Sequence, residues 1–277
     1  MPARTSKPQS PHSRNSAASR SSILAHAIAE FAAQGVAGAR TAAIAEAAGV
    51  NKALLYYYFK DKESLYAASL HEAFSGLFEN VLPMLQSSIP PGEKILRLAR
   101  IHFEYLLRHP HYPRMIQQEL SRVCNTGEPS HEFRQIASTH FAPMHRIGVK
   151  AVQDGIDCGE FRKVTGSNVL GTLLGMNVFY FSSAPIMRII RGVDPFSPEC
   201  IREHISNSLN FIGAALFADR AYGIKLAKKI ATLPSALPPR LRGPAARQGP
   251  AIELPSPRAA QPGRGQSLQG KRTDHES

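Results

Sequence analysis

Cysteine is scarce in this 277-residue chain, and the three that occur, Cys124, Cys158 and Cys200, are far apart and odd in number. A disulfide framework is excluded, and a reducing compartment, the cytoplasm, is expected. The longest apolar run, VLGTLLGMNVFYF at 169–181, is interrupted by Asn177 and falls short of the about 20 residues that a membrane span needs, so no membrane partner is expected. The opening MPARTSKPQSPHSR is polar and does not read as a secretory signal. Strict apolar–polar alternation is missing, which argues against half-buried strands. Residues 1–18 and 232–277 carry no Phe, Tyr or Trp and are expected to be disordered. Also missing are a nucleophile with its base, a phosphate loop and a zinc-type ligand spacing. PGRGQSLQG lacks the flanking strand and helix of a dinucleotide fingerprint, so no catalysis, cofactor or metal is expected.

What the sequence does contain is concentrated between Thr41 and Lys62, TAAIAEAAGVNKALLYYYFKDK. Ile44, Ala45 and Ala48 recur at helical spacing, Gly49 is at home in the left-handed region, and Asn51 is suited to cap the next helix. Two short helices around a glycine make a helix-turn-helix, and the small Ala45 and Gly49 are expected to let them cross closely. At about 100° per residue the second helix turns Asn51, Leu55 and Phe59 inward and Lys52, Ala53, Leu54 and Tyr56 outward. A buried helix has no use for Lys52 and Tyr56 on its outer face. A helix in a major groove needs slim side chains for base edges and donors for phosphates. Within the aromatic run, Phe59 reads as core, Tyr57 as surface or packing, and Tyr58 as either core edge or DNA contact.

These residues resemble the DNA-binding domain of the TetR family of bacterial repressors, over residues 19 to about 70. The family pattern F-x-x-x-G, T-x-x-I-A-x-x-A-G-V, L-Y-x-x-F-x-x-K-E-x-L is met by Phe31 and Gly35, then Thr41, Ile44, Ala45, Ala48, Gly49 and Val50, then Leu55, Tyr56, Phe59, Lys62, Glu63 and Leu65. Arg40 stands where the family often has a capping Thr, so Thr41 or the backbone must cap, and Arg40 is free to meet a phosphate. Tyr58 replaces a frequent His and keeps one donor. The resemblance implies that Lys52, Ala53, Leu54 and Tyr56 approach base edges while Arg40, Thr41, Tyr56, Tyr58 and Lys62 hold the backbone. Lys52 is then the one strong donor for a guanine edge, and Ala53 and Leu54 suit a thymine methyl.

Beyond Glu63 apolar residues recur every three to four positions, so the fold class is all-α. Helices are expected from about 63 to 82, closed by Pro83; from Pro91 to His109; near 113–124; over 131–157 with a kink or restart at Pro143; and over 166–190 and 198–219. Composition sets off a basic arm at 1–18 and a Pro/Arg/Gly-rich tail at 232–277, and the resemblance implies between them a helix-turn-helix domain at 19–65 with its motif at 40–59 and a regulatory and dimerisation domain at 66–221. It also implies that the last two helices pair with a second copy as a homodimer. Gly171, Gly175, Leu209, Ile212, Gly213 and Leu216 are the candidates for that interface, with intramolecular packing as the alternative. His102, Phe103, Gln117, Phe141, His145, Asn177 and Tyr180 are candidates to line an effector pocket, each with an alternative as an ordinary core or surface group. HPHYPR at 109–114 reads as a loop with solvated histidines.

The net charge of +12 is spread unevenly, with +4 on residues 1–20 and +4 on 232–277. Tails of this kind either add phosphate attraction or are simply solvated. The function expected is a dimeric regulator, a repressor released from a palindromic double-stranded operator by a small-molecule effector. The alternative is an architectural protein that coats DNA without sequence preference.

Overall fold

The computed structural model describes residues 11–235, with side chains from Ser16 onward. The remaining stretches, which hold the first part of the expected arm and most of the expected tail, lie outside the described residues. Among the described residues the chain is helical, and its one β-type contact is an isolated antiparallel bridge between Phe161 and Phe217. The helices are α1 (Pro11–Gly38), α2 (Thr41–Ala47), α3 (Lys52–Tyr58), α4 (Lys62–Gln86), α5 (Pro91–Arg108), α6 (His111–Thr126), α7 (His131–Ile136), α8 (Ala142–Asp157), α9 (Gly166–Arg191), α10 (Pro198–Leu216) and α11 (Arg220–Thr232). A π-helical turn, Ala137–Phe141, joins α7 to α8 just before Pro143, which accounts for the expected restart.

Several boundaries differ from expectation. α1 begins at Pro11, so residues 11–18, expected to belong to the arm, extend the first helix. α1 is then broken at Gly35, whose φ of 65° and ψ of 173° lie outside the helix. Pro83 does not close α4, which runs one turn further and buries Leu85. HPHYPR is a turn only at His109 and Pro110, both exposed; from His111 it is the start of α6, with Tyr112 and Pro113 buried, and His109 stacks on Tyr105 with centroids 4.1 Å apart.

α11 has no counterpart among the expected helices. YGIKLAKKIA repeats Leu226, Ala227 and Ile230 inward at helical spacing, and Asp219 caps the helix by accepting from the N–H groups of Ala221 and Tyr222. It packs on α10 at backbone contact: a β-carbon on Gly213 would lie 2.4 Å from the Gly223 carbonyl oxygen. The far end of α11 is fixed by Arg100, whose guanidinium donates to the carbonyls of Ile230 and Leu233 while its Nε pairs with Glu104 at 2.7 Å. One apolar core, including Leu70, Phe74, Leu77, Ile95, Leu98 and Leu209, runs through the body and continues into the head at Phe31, Ile44, Leu55 and Tyr66.

Candidate nucleic-acid interface

α2 ends in a two-bond reversal: the Gly49 N–H donates to Glu46 O at 3.1 Å and the Val50 N–H to Ala45 O at 3.0 Å. Gly49 has a φ of 68°, and a β-carbon there would meet nothing within 4 Å, so the turn requires its backbone freedom and not its small size. Ala45 is buried with Ile44 on the inner side of α2. Asn51 then caps α3 by accepting from the Leu54 N–H at 2.7 Å. The cap leaves Asn51 exposed, against the inward position expected from the wheel, while Leu55 and Phe59 are buried as expected.

The outward face of α3 carries Lys52, Ala53 and Tyr56, with Leu54 half-buried at its flank. Tyr57 belongs to the same face and is 80 % exposed; a tyrosine within an aromatic run gives no signal in sequence to distinguish it. The Lys52 ammonium lies 5.8 Å from the centre of the Tyr56 ring, a cation–π distance. Thr41 does not cap α2: its hydroxyl meets that of Tyr56 at 3.1 Å. Arg40 occupies the cap position with no side-chain cap, its own N–H donating to Glu30 Oε1 at 3.1 Å, and its side chain is left exposed.

Two residues assigned to phosphate have internal partners. Tyr58 is half-buried and donates to Ser16 Oγ at 3.0 Å, tying α3 to the early turns of α1. The Lys62 ammonium donates to the Ala37 carbonyl at 3.2 Å, across the break in α1. Lys62 opens α4 behind Asp61, which caps the helix by accepting from the Ser64 N–H at 2.7 Å. The Ser64 hydroxyl and N–H together hold the Asp61 carboxyl below its usual range. Arg20 lies 5.3 Å over the Phe59 ring and closes the head from the other side.

The residues proposed from sequence for an effector pocket separate into groups. Asn177 is buried and donates to the Ala99 carbonyl at 2.9 Å, with His102 Nδ1 at 3.2 Å from the same amide nitrogen. His102 is therefore the acceptor and neutral, and burial lowers its pKa to about 4. Phe103 and Tyr180 meet edge to face at 5.4 Å and share His204, itself lowered by burial to about 4. Phe141 belongs to a second cluster with Phe74, Phe78 and Phe133. Gln117 and His145 are exposed and join neither. Among the described residues no three His, Cys, Asp or Glu side chains are grouped to hold a metal ion.

The proposed dimer residues divide as well. Leu209, Ile212, Gly213 and Leu216 are buried within the chain: Gly213 lies against Gly223 of α11, while Ile212 and Leu216 border the groove between α9 and α10. Gly171 and Gly175 face open space on α9, beside exposed Phe179, Ile186 and Ile190 and the exposed Phe211 of α10. A groove of about 300 Å³ between α9 and α10 lies along this face, lined by Val169, Thr172, Met176, Phe211 and Ala215 among others. α9 is long and apolar enough to cross a membrane, although Leu170, Leu173, Asn177 and Ala184 are packed into the bundle.

Comparison with known proteins agrees with this arrangement. Residues 23–69 match the family described as bacterial regulatory proteins, tetR family, and residues 91–212 match the tetracyclin repressor-like C-terminal domain. The HTH-type transcriptional repressor KstR2 of Mycolicibacterium smegmatis is 29 % identical over 156 residues, 56 % of this chain and 71 % of the relative. The HTH-type transcriptional repressor SCO4008 of Streptomyces coelicolor is 28 % identical over 196 residues, 70 % of this chain and 95 % of the relative. The solved structure of the ketosteroid transcriptional regulator KstR2 of Mycobacterium tuberculosis superposes with a TM-score of 0.52 at 20 % identity, covering 76 % of this chain and 92 % of that one, which speaks to the fold alone. A capped helix-turn-helix at 41–58, continuous with a helical body and matched in both parts, places this chain in the TetR family of DNA-binding transcriptional regulators.

Proposed function

We infer that the protein is a ligand-responsive repressor that binds a two-fold symmetric operator as a homodimer. The observation that carries this reading is the outward face of α3, where Lys52, Ala53, Tyr56 and Tyr57 are exposed to solvent on a helix fixed from behind by Leu55 and Phe59. A single α3 of seven residues touches few base pairs. Two of them, related by a two-fold axis, would read half-sites about 34–36 Å apart. The exposed apolar surface of α9 and α10 supports pairing with a second copy, since a contiguous apolar face of this kind is covered in a stable assembly. The face proposed for pairing is Thr172, Gly175, Phe179, Ile186 and Ile190 of α9 with Phe211 of α10.

The effector is proposed to be a small, mainly apolar molecule that enters the body near His102, Asn177, Phe103 and Tyr180, where two polar groups sit among aromatic rings. Its role is to alter the separation of the two heads, and about 1–3 kcal/mol of coupling suffices for that. A cytoplasmic location follows from the role. The deciding experiment is enrichment of duplexes from a random pool, followed by footprinting. Recovery of an inverted repeat supports the reading, and uniform coating of every duplex would replace it with the architectural alternative.

A further inference from the structure

Glu119 of α6 is a carboxylate buried to 3 % exposure whose hydrogen-bond donors are all neutral. Its Oε1 accepts from the Tyr66 hydroxyl at 2.5 Å and the Ser130 hydroxyl at 2.7 Å, and its Oε2 accepts from the Ser130 N–H at 2.8 Å. A buried charge held this way is costly to place and costly to disturb, because each donor lost leaves it short in a low dielectric. The donors come from α4 and from the cap of α7, so the carboxylate joins three helices. Ser130 also accepts from the Phe133 N–H at 3.1 Å, which fixes the start of α7 to the same point.

Tyr66 extends the connection into the DNA-binding head. Its ring meets Phe31 of α1 edge-on at 4.8 Å, one turn after Lys62. The neighbour of Glu119, Gln118, touches the head independently: its Oε1 lies 2.9 Å from where a β-carbon on Gly35 would stand, at the break in α1. Two consecutive residues of α6 thereby engage both long helices that support α2 and α3.

Given the reading of this chain as a DNA-binding regulator, on which the inference rests, we propose that Glu119 is a positioning residue for DNA recognition. Acting through Tyr66, its carboxylate sets the orientation of α1 and α4 against the corner between α6 and α7. A shift of about an ångström of that corner against α4 stretches the Tyr66–Glu119 bond to the limit of hydrogen-bonding distance, while the two Ser130 bonds travel with the corner and keep its carboxylate in place.

The test uses the full-length protein with Glu119→Gln, Tyr66→Phe and, as a control on the exposed side of α6, Leu120→Ala. Affinity is measured for a duplex enriched from a random pool, and amide hydrogen exchange is followed along the chain, both at a temperature where circular dichroism reports native helix. Glu119→Gln and Tyr66→Phe are each expected to weaken the duplex at least tenfold. The double variant should lie within twofold of the weaker single one. Exchange should quicken at least tenfold in 31–41 and 62–70 and stay unchanged in α10 and α11, while Leu120→Ala alters neither readout. Variants that melt earlier but keep wild-type affinity and wild-type exchange in the head would make Glu119 a plain stabiliser and overturn the proposal. If Glu119→Gln does not fold, Tyr66→Phe decides alone. A wild-type protein that enriches no duplex removes the regulator reading, and the exchange measurement still decides whether Glu119 couples the corner to the head.

Discussion

The hydroxyls of Thr41 and Tyr56 lie 3.1 Å apart, one on the first residue of α2 and the other midway along α3. This bond crosses the helix-turn-helix on its exposed side, whereas Ile44 and Leu55 of the same two helices are buried. It orients the Tyr56 ring, and through the ring the Lys52 ammonium, before DNA arrives. Tyr56→Phe and Thr41→Val should therefore couple in a double-mutant cycle by about 0.5–1 kcal/mol of stability, modest because the pair is exposed. Urea denaturation of the two single variants and the double measures it, and strict additivity would show that the hydroxyls do not act together.

Lys52 and Lys62 are expected to fail differently. Lys52→Ala should lower the ratio of affinities for the enriched and random duplexes, since its ammonium is the strong donor on the outward face of α3. Lys62→Ala should weaken both duplexes about equally and also cost roughly 0.5–1 kcal/mol of stability, because its ammonium holds a carbonyl near the end of α1. Titrations on both duplexes, with a melt of each variant, separate the two roles.

Three glycines give three outcomes on substitution by alanine. Gly213→Ala should cost about 2 kcal/mol or more, since its β-carbon would overlap the Gly223 backbone. Gly49→Ala should cost about 1 kcal/mol from the left-handed φ alone, with open space around it. Gly175→Ala meets nothing within 4 Å and should leave the folded chain as stable or up to about 1 kcal/mol more so, while altering self-association. Calorimetry at fixed protein concentration orders the three.

Phe179 and Phe211 are 67 % and 62 % exposed, so replacing both with Glu should leave the helical content intact. Sedimentation equilibrium should then show a monomer for this variant and a dimer for the wild-type protein. Affinity for an inverted repeat should fall at least tenfold, whereas affinity for a single half-site should hold. A double variant that stays dimeric would move the interface elsewhere.

Acid should destabilise the protein through its buried imidazoles. His102 has a pKa of about 4 against an ordinary 6.5, lowered by burial, so the unfolded chain binds a proton in that window that the folded chain refuses. Its contribution is whole above pH 6.5 and is lost as pH falls toward 4, on the order of 2 kcal/mol between pH 7.5 and 5. His204 shifts in the same direction for the same cause and adds less because it is partly solvated. Denaturant midpoints across that range should decline, and His102→Gln should flatten the decline.

The head was legible because its information is local. Gly49, Asn51, Leu55 and Phe59 each do a job set by a neighbour within a turn or two, so spacing alone located the helix-turn-helix. Roles that depend on distant chain were not legible: Lys62 and Tyr58 found partners in α1, and Gly213 lies against Gly223 of α11. An apolar stripe on α10 reads the same whether its cover is another helix of the same chain or of another. Asn177 shows the reverse case, a polar residue in an apolar run whose burial and bond to the Ala99 carbonyl follow from where it sits.

The grip of Arg100 on the end of α11 spans 130 and 133 residues of sequence. During synthesis, α5 leaves the ribosome well before its partner exists, and at about 5–20 residues per second the wait is on the order of ten seconds. Throughout that interval the Arg100 and Glu104 side chains, which end up nearly buried, remain in water. The body of the nascent protein thus closes late, on the arrival of a helix encoded near its end, and a chain cut short before Ile230 leaves α5 with an unsealed flank for chaperones or proteases to find.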